Sequence, residues 1–284
     1  MSLLLSISKL YVRFVFRDGE YNTEKTQRDF NVPDPPRRLI SRCERVENSV
    51  RGFWIDRQNS ERGVLVYLHG GAYYFGPVKE HWEYIARIAK MSGMAAIMVD
   101  YGLAPQRRYP AAIDDAVELV TTIGLPPDWY LIGDSCGPAI AVSACARLRE
   151  NGAGPPKKMI LMSPWMDLTL ANPDIELNKH EDVMMTVERL SAAANDYAGD
   201  EDLGDARLSP MFGDLAGLPP MLIQTGTADL LLADCRRFRD KALNAGLDVK
   251  YEEYPNAFHD FMMLSVLPEA KRALKSQVDF LLST

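Results

Sequence analysis

The chain has 284 residues, with 32 basic and 39 acidic side chains and a formal net charge of −7. Hydrophobic residues make up 47% and charged residues 25%, the balance of a globular protein, which excludes a disordered chain with too little to bury. The negative charge argues against a nonspecific nucleic-acid binder, and no apolar run reaches the ~18 residues of a membrane span.

The first predicted element is a helix over about residues 3–15. Leu3, Ile7, Leu10 and Phe14 fall on one face, and Lys9, Arg13 and Arg17 repeat on another. That apolar face is expected to pack on the body of the protein; contact with a lipid surface is the alternative. No positive charge precedes the leucine run and no small-residue cleavage site follows it, unlike a signal peptide. The segment ends near residue 40, after Pro33-Asp34-Pro35-Pro36.

From about residue 41, short β-rich runs alternate with helical patterns. The clearest strands are Val64–Leu68, Ala95–Val99, Trp129–Ile132, Met159–Met162, Met221–Gln224 and Val249–Glu253. Between them, Trp82, Ile85, Ala86 and Ala89 share one helix face, and Ala112, Ala116, Leu119 and Val120 another. Ala139–Leu148 is apolar nearly all round, as in a buried helix, and Leu267, Ala270, Leu274, Val278 and Leu281 form the stripe of a last helix. The alternation predicts an α/β fold, a mostly parallel sheet covered on both faces. Residues 1–40 and about 167–217 do not fit it. They are read together as a small helical cap on a catalytic domain spanning 41–284.

Gly133-Asp134-Ser135-Cys136-Gly137 follows a predicted strand and precedes a predicted helix, the context that the G-x-S-x-G elbow requires. The tight turn demands small flanking residues and lifts the Ser135 hydroxyl above the sheet. Pro138 is tolerated in the first helical turn. An oxyanion hole is expected from the backbone N–H of Cys136 and from Gly70, Gly71 and Ala72, which follow Val64–Leu68 in His69-Gly70-Gly71-Ala72-Tyr73. Of four histidines, His69 belongs to the glycine loop, and His81 and His180 sit among charged residues and read as exposed. His259 lies after the last strand, between aromatics, and is the candidate base. Asp229, after Met221–Gln224, is the candidate acid and reads as the start of a helix; Asp234 and Asp260 compete with it. Cysteines 43, 136, 145 and 235 form no C-x-x-C pair, so no zinc knuckle is expected. Free thiols and a cytoplasmic location are expected instead.

These motifs, with Asp100-Tyr101-Gly102-Leu103-Ala104-Pro105 and Ser163-Pro164-Trp165-Met166-Asp167-Leu168-Thr169, resemble the hormone-sensitive-lipase-like bacterial family IV esterases of the α/β-hydrolase superfamily. The resemblance covers about residues 40–284. It implies an eight-stranded sheet, a triad of Ser135, Asp229 and His259, and hydrolysis of carboxylic esters, usually of short acyl chains. It implies no cofactor or metal. Homodimers are common in that family, which leaves the oligomeric state open. Departures are Ala72 for a third glycine, Cys136 for alanine, Pro138 for a glycine, and Gly102 and Gln106 for an arginine and a glutamate. An amidase or lactonase would use the same triad, and a noncatalytic receptor on this fold would lack a triad member. Expected pocket walls are Tyr73, Tyr74, Trp165, Met184 and Leu230, with the first helix, Phe30 and Met185.

Overall fold

The computed structural model describes residues 2–13, 22–46 and 49–283. Eight strands form one sheet in the order β1-β2-β4-β3-β5-β6-β7-β8. They are β1 (Cys43–Arg45), β2 (Gly52–Ile55), β3 (Val64–Leu68), β4 (Ala95–Val99), β5 (Trp129–Asp134), β6 (Lys158–Met162), β7 (Met221–Gly226) and β8 (Val249–Tyr254). β2 runs antiparallel to β1 and β4, and every other pairing is parallel. The two strands missed from the sequence are β1 and β2. β1 has only three residues, with Cys43 half-buried and Glu44 and Arg45 exposed, so it carries no apolar run to read.

The central strands alternate between two cores with a period of two. Val64, Val66, Leu68, Leu131 and Leu161 face one; Leu65, Tyr67, Ile132, Ile160 and Met162 face the other. Both faces being covered explains why these strands read as continuous apolar runs. The first core is closed by α4 (Ala111–Thr122), α5 (Gly137–Glu150) and α7 (Leu232–Asn244). The second is closed by α3 (Lys79–Ser92) and α8 (Pro268–Leu282). The stripe Ala270, Leu274, Val278 and Leu281 is buried as its spacing predicts.

The N-terminal segment contains α1 (Leu3–Val12) and α2 (Thr23–Phe30). α1 is tethered to the first turn of α8, where the Ser2 N–H and hydroxyl both donate to the Glu269 carboxylate. Its inward face is not the expected one. Leu5 and Val12 are buried, whereas Leu3, Ile7 and Leu10 are exposed. Apolar residues occupy almost every side of this helix, so periodicity alone could not select the face. Phe14 and Arg17 lie outside the described residues. α2 sits near the glycine loop, where the Gln27 amide donates to the carbonyls of Tyr74 and Ala104.

Residues 167–217 add no strand. They contain α6 (Val187–Ala198) and short 3-10 turns at Pro173–Leu177 and Pro210–Phe212. Among the described residues, no helix is long and apolar enough to cross a membrane.

Candidate active site

The carboxyl ends of β3, β5, β7 and β8 supply the loops that converge on Ser135. Ser135 follows β5 directly and has a φ of +55°, a left-handed conformation that costs about 1–3 kcal/mol in a non-glycine residue. The strain is held from both sides. The Ser135 N–H donates to Met162 O at 2.9 Å, and Trp165 N–H donates to Ser135 O at 2.8 Å. The flanking glycines are required by close approach. A Cβ at Gly133 would lie 2.6 Å from the Gly137 carbonyl carbon, and one at Gly137 would lie 2.0 Å from Leu68 O. Pro138 occupies the first turn of α5, whose amino end points at the elbow and favours negative charge there.

His259 reaches Ser135 from the loop after β8. Its Nε2 lies 2.9 Å from Ser135 Oγ, and its Nδ1 lies 3.0 Å from Asp229 Oδ2. In the neutral ring, Nδ1 carries the proton toward the Asp229 carboxylate, which can only accept, and Nε2 presents its lone pair to the Ser135 hydroxyl. Burial alone would lower the His259 pKa. Asp260 and Asp229 outweigh it and raise the imidazolium pKa well above the usual range.

The Asp229 and His259 loops are stitched together. Ala228 N–H donates to Ala257 O, Thr227 N–H to Tyr254 O, and Asn256 N–H to the Thr227 hydroxyl. Gly226 permits this approach, because a Cβ there would lie 2.0 Å from Ala257 O. Asp229 is fully buried and does not start a helix; α7 begins at Leu232. Its Oδ1 accepts the N–H of Leu231 at 2.9 Å, and its main-chain carbonyl accepts from Asn178. Asp182, also fully buried, clamps the same loop. It accepts from Leu230 N–H at 2.7 Å and from the N–H groups of Met184 and Met185 at 2.7 and 2.8 Å. Burial and then the Asp229 charge raise its pKa.

The competing acids go elsewhere. Asp234 accepts from the Asn172 side chain and approaches Arg237 at 3.9 Å. Asp260 meets His259 at the opposite ring nitrogen, with Oδ2 at 3.2 Å from Nε2.

The glycine loop lies over the elbow. Gly71 has a φ of +116°, and Ala72 and Tyr73 follow at +48° and +66°. The expectation that Gly70 donates into the hole is corrected: its N–H donates to Asp134 Oδ1 at 2.9 Å. A Cβ at Gly70 would lie 2.3 Å from Asp134 Oδ2, so Gly70 serves the close packing of loop on elbow. The N–H groups of Gly71, Ala72 and Cys136 make no hydrogen bond among the described residues. Tyr73 N–H donates to Cys136 Sγ at 3.3 Å, so the thiol as well as the backbone of Cys136 meets this loop.

Asp134 organises a buried polar cluster behind the loop. Tyr67 OH donates to its Oδ1 at 2.5 Å, and His81 Nε2 lies 3.3 Å from Oδ2. His81 is therefore buried, contrary to its charged sequence surroundings. Its Nδ1 accepts from Val78 N–H, at the start of α3. His69 stacks on Tyr101 at 4.3 Å, and burial lowers its pKa to about 3. His180 is exposed as read.

The expected pocket walls divide. Tyr73, Trp165 and Leu230 are buried, and Tyr73 stacks on Tyr197 of α6 with centroids 3.8 Å apart. Tyr74, Met184 and Phe30 are half-buried, and Met185 is buried. Two departures from the esterase pattern, Gly102 and Gln106, each have their own partner. A Cβ at Gly102 would lie 2.7 Å from Arg107 Cδ, and Arg107 pairs in a forked fashion with Asp115, which also accepts Gly102 N–H. Gln106 pairs with Gln27. All four cysteines are free, and among the described residues no group of three or more His, Cys, Asp and Glu could hold a metal ion.

The sequence pattern of the alpha/beta hydrolase fold matches residues 65–263. The chain is 38% identical over 237 residues to an esterase of Acinetobacter venetianus, covering 81% of this chain and 78% of that protein. It is 34% identical over 233 residues to an acetyl-hydrolase of Streptomyces hygroscopicus, covering 80% and 78%. A crystal structure of an esterase from the bacterial hormone-sensitive lipase family superposes with a TM-score of 0.88 at 29% identity, over 99% of this chain and 98% of the other. The chain belongs to the alpha/beta hydrolase fold family. Within it, the chain is a hormone-sensitive-lipase-like esterase, a carboxylic ester hydrolase.

Proposed function

We propose that the protein is a serine carboxylesterase that cleaves short- to medium-chain carboxylic esters through an acyl-enzyme, with Ser135, His259 and Asp229 as its triad. The observation that carries this reading is the His259 imidazole spanning Ser135 Oγ at 2.9 Å and Asp229 Oδ2 at 3.0 Å. His259 Nε2 takes the hydroxyl proton as Ser135 Oγ attacks the ester carbonyl. The resulting imidazolium, stabilised by Asp229, gives that proton to the departing alcohol. Water then repeats the sequence on the acyl-enzyme and restores Ser135.

The carbonyl oxygen gains charge at attack, and donors aimed there are worth about 2.7–4 kcal/mol each. Gly71, Ala72 and Cys136 are assigned this role. Residues 1–40 and 167–217 are assigned to a cap. Asp182 on Leu230, Tyr197 on Tyr73 and Gln27 on Tyr74 support that assignment, since each joins these segments to a catalytic loop. The short acyl range is supported by the relative named for acetyl hydrolysis.

Stopped-flow hydrolysis of p-nitrophenyl esters from acetate to palmitate tests the reading, with p-nitroacetanilide as the amide control. The expected result is a burst of one p-nitrophenol per protein and kcat/KM highest for acetate to hexanoate. A preference for the anilide, or for palmitate, contradicts it.

A further inference from the structure

Asp260 is the residue that the triad does not account for. It follows His259, with a φ of +53°, in the left-handed region where glycine is at ease and an aspartate is strained. Its N–H donates to the Ser163 hydroxyl at 3.2 Å, which fixes the backbone in that conformation. The consequence is that Oδ2 stands 3.2 Å from His259 Nε2, the nitrogen that must exchange a proton with Ser135. The other oxygen, Oδ1, is buried and has no partner. Ser135 Oγ holds the hydrogen bond to Nε2, and the carboxylate stands beside it.

We infer that Asp260 is a positioning residue for the esterase reaction, a second carboxylate that holds the His259 imidazolium from its reacting side and thereby sets the pH range of the enzyme. The inference rests on the Ser135–His259 reading above. With a neutral imidazole, the Nε2 lone pair faces a carboxylate oxygen and nothing is gained. With an imidazolium, the same oxygen meets a positive N–H. The pair therefore favours the protonated ring, both in the free enzyme at low pH and in the tetrahedral intermediate. In the intermediate, the proton on Nε2 comes from Ser135 Oγ and leaves with the alcohol oxygen; Asp260 forms no covalent bond and keeps no proton.

Other charges around the pair act in known directions. Asp229 holds Nδ1, and Asp182 adds negative charge from the 167–217 segment. Asp134 of β5 faces Asp260, and Tyr67 of β3, Tyr84 of α3 and the Cys136 thiol stand nearby. Burial raises the Asp260 carboxyl to about 6, against the His259 charge, which lowers it. Of the positive or potentially positive groups among the described residues, Arg87 of α3 acts on Tyr84, and His81 and His69 act on Asp134.

The active form needs a free Nε2 lone pair, so the acid limb of kcat/KM follows the imidazolium. Removing the Asp260 charge releases the ring proton more easily, and the limb moves to lower pH. The test is the kcat/KM profile for p-nitrophenyl acetate from pH 4.5 to 9.5 in wild type, Asp260→Asn and Asp260→Gly. Asparagine keeps the shape and tolerates this backbone; glycine relieves the strain. The expected result is a fall in the acid-limb midpoint of at least one pH unit in both variants, so that activity well below the wild-type midpoint rises about tenfold relative to the plateau. An unmoved midpoint in either folded variant overturns the inference. So does loss of turnover at every pH in variants whose Ser135 still reacts with diethyl p-nitrophenyl phosphate. If wild-type Ser135 itself fails to react, the triad reading falls first and Asp260 falls with it.

Discussion

Cys136 Sγ accepts the backbone N–H of Tyr73 at 3.3 Å, tying the residue after Ser135 to the end of the glycine loop. The same thiol lies 3.9 Å from Tyr101 OH, whose proton goes to His69 O at 2.6 Å, and burial raises its pKa to about 12. It is a neutral, inert group that holds a strained loop. Ala72 and Tyr73 both sit at positive φ, so the loop depends on such anchors to keep its N–H groups converging.

Cys136→Ala removes this acceptor and leaves the backbone donor in place. A net hydrogen bond of about 1 kcal/mol gives a roughly 3- to 10-fold fall in kcat with little change in KM. Cys136→Ser supplies another acceptor and is expected to recover most of the loss. Steady-state kinetics on p-nitrophenyl butyrate reads both variants, and an equal loss in Ser and Ala denies the thiol this role.

Asp182 joins the 167–217 segment to the acid loop through Leu230 N–H. An amide in its place cannot accept all three of its main-chain donors and turns an N–H toward one of them. Asp182→Asn is expected to lower kcat about 10-fold, because Asp229 loses its fixed position, while KM changes less than 2-fold. A change in KM alone points to substrate contact instead.

The choice among acids can be separated by two amide variants. Asp229→Asn removes the charge that orients His259 and is expected to cost about 10⁴ in kcat. Asp234→Asn is expected to keep activity within about 2-fold, since its partners are Asn172 and Arg237 and not the imidazole. The reverse pattern in initial rates refutes the assignment.

Asp234 also carries a stability prediction. Burial raises its carboxyl to about 6, from an ordinary 3.8. Between those values the folded chain binds more protons than the unfolded one, so stability is greatest below pH 4 for this group and falls as pH rises through 6. The loss is on the order of 3 kcal/mol. Urea denaturation at pH 4.5, 5.5 and 7 is expected to show a shallower decline in Asp234→Asn than in wild type; identical slopes contradict the shift.

Much of the fold could be read because β3 to β7 are short apolar runs between glycines, prolines and charges, and both faces are covered. The elbow was legible for the same reason: Gly133 and Gly137 leave no alternative to a tight strand-to-helix turn. Contacts made at long range were not. His81 is surrounded in sequence by Lys79, Glu80 and Glu83, yet its ring lies inside against the distant Asp134, His69 and Tyr67. Gly70 reads as a donor because it stands beside Gly71 in the loop after β3, and the same aspartate claims its N–H. Asp260 could be named as a carboxylate near His259, but which ring nitrogen it meets depends on a left-handed backbone that its residue type does not announce.

The most direct measurement is peptide mass spectrometry after reaction with diethyl p-nitrophenyl phosphate, followed alongside p-nitrophenyl butyrate hydrolysis in wild type and Ser135→Ala. One diethylphosphoryl group on Ser135, appearing in step with the loss of turnover, and at least a 10⁴-fold lower kcat in the folded variant are the predicted results. Inactivation with the adduct on another residue, or turnover that persists in Ser135→Ala, contradicts the assignment of Ser135 as nucleophile.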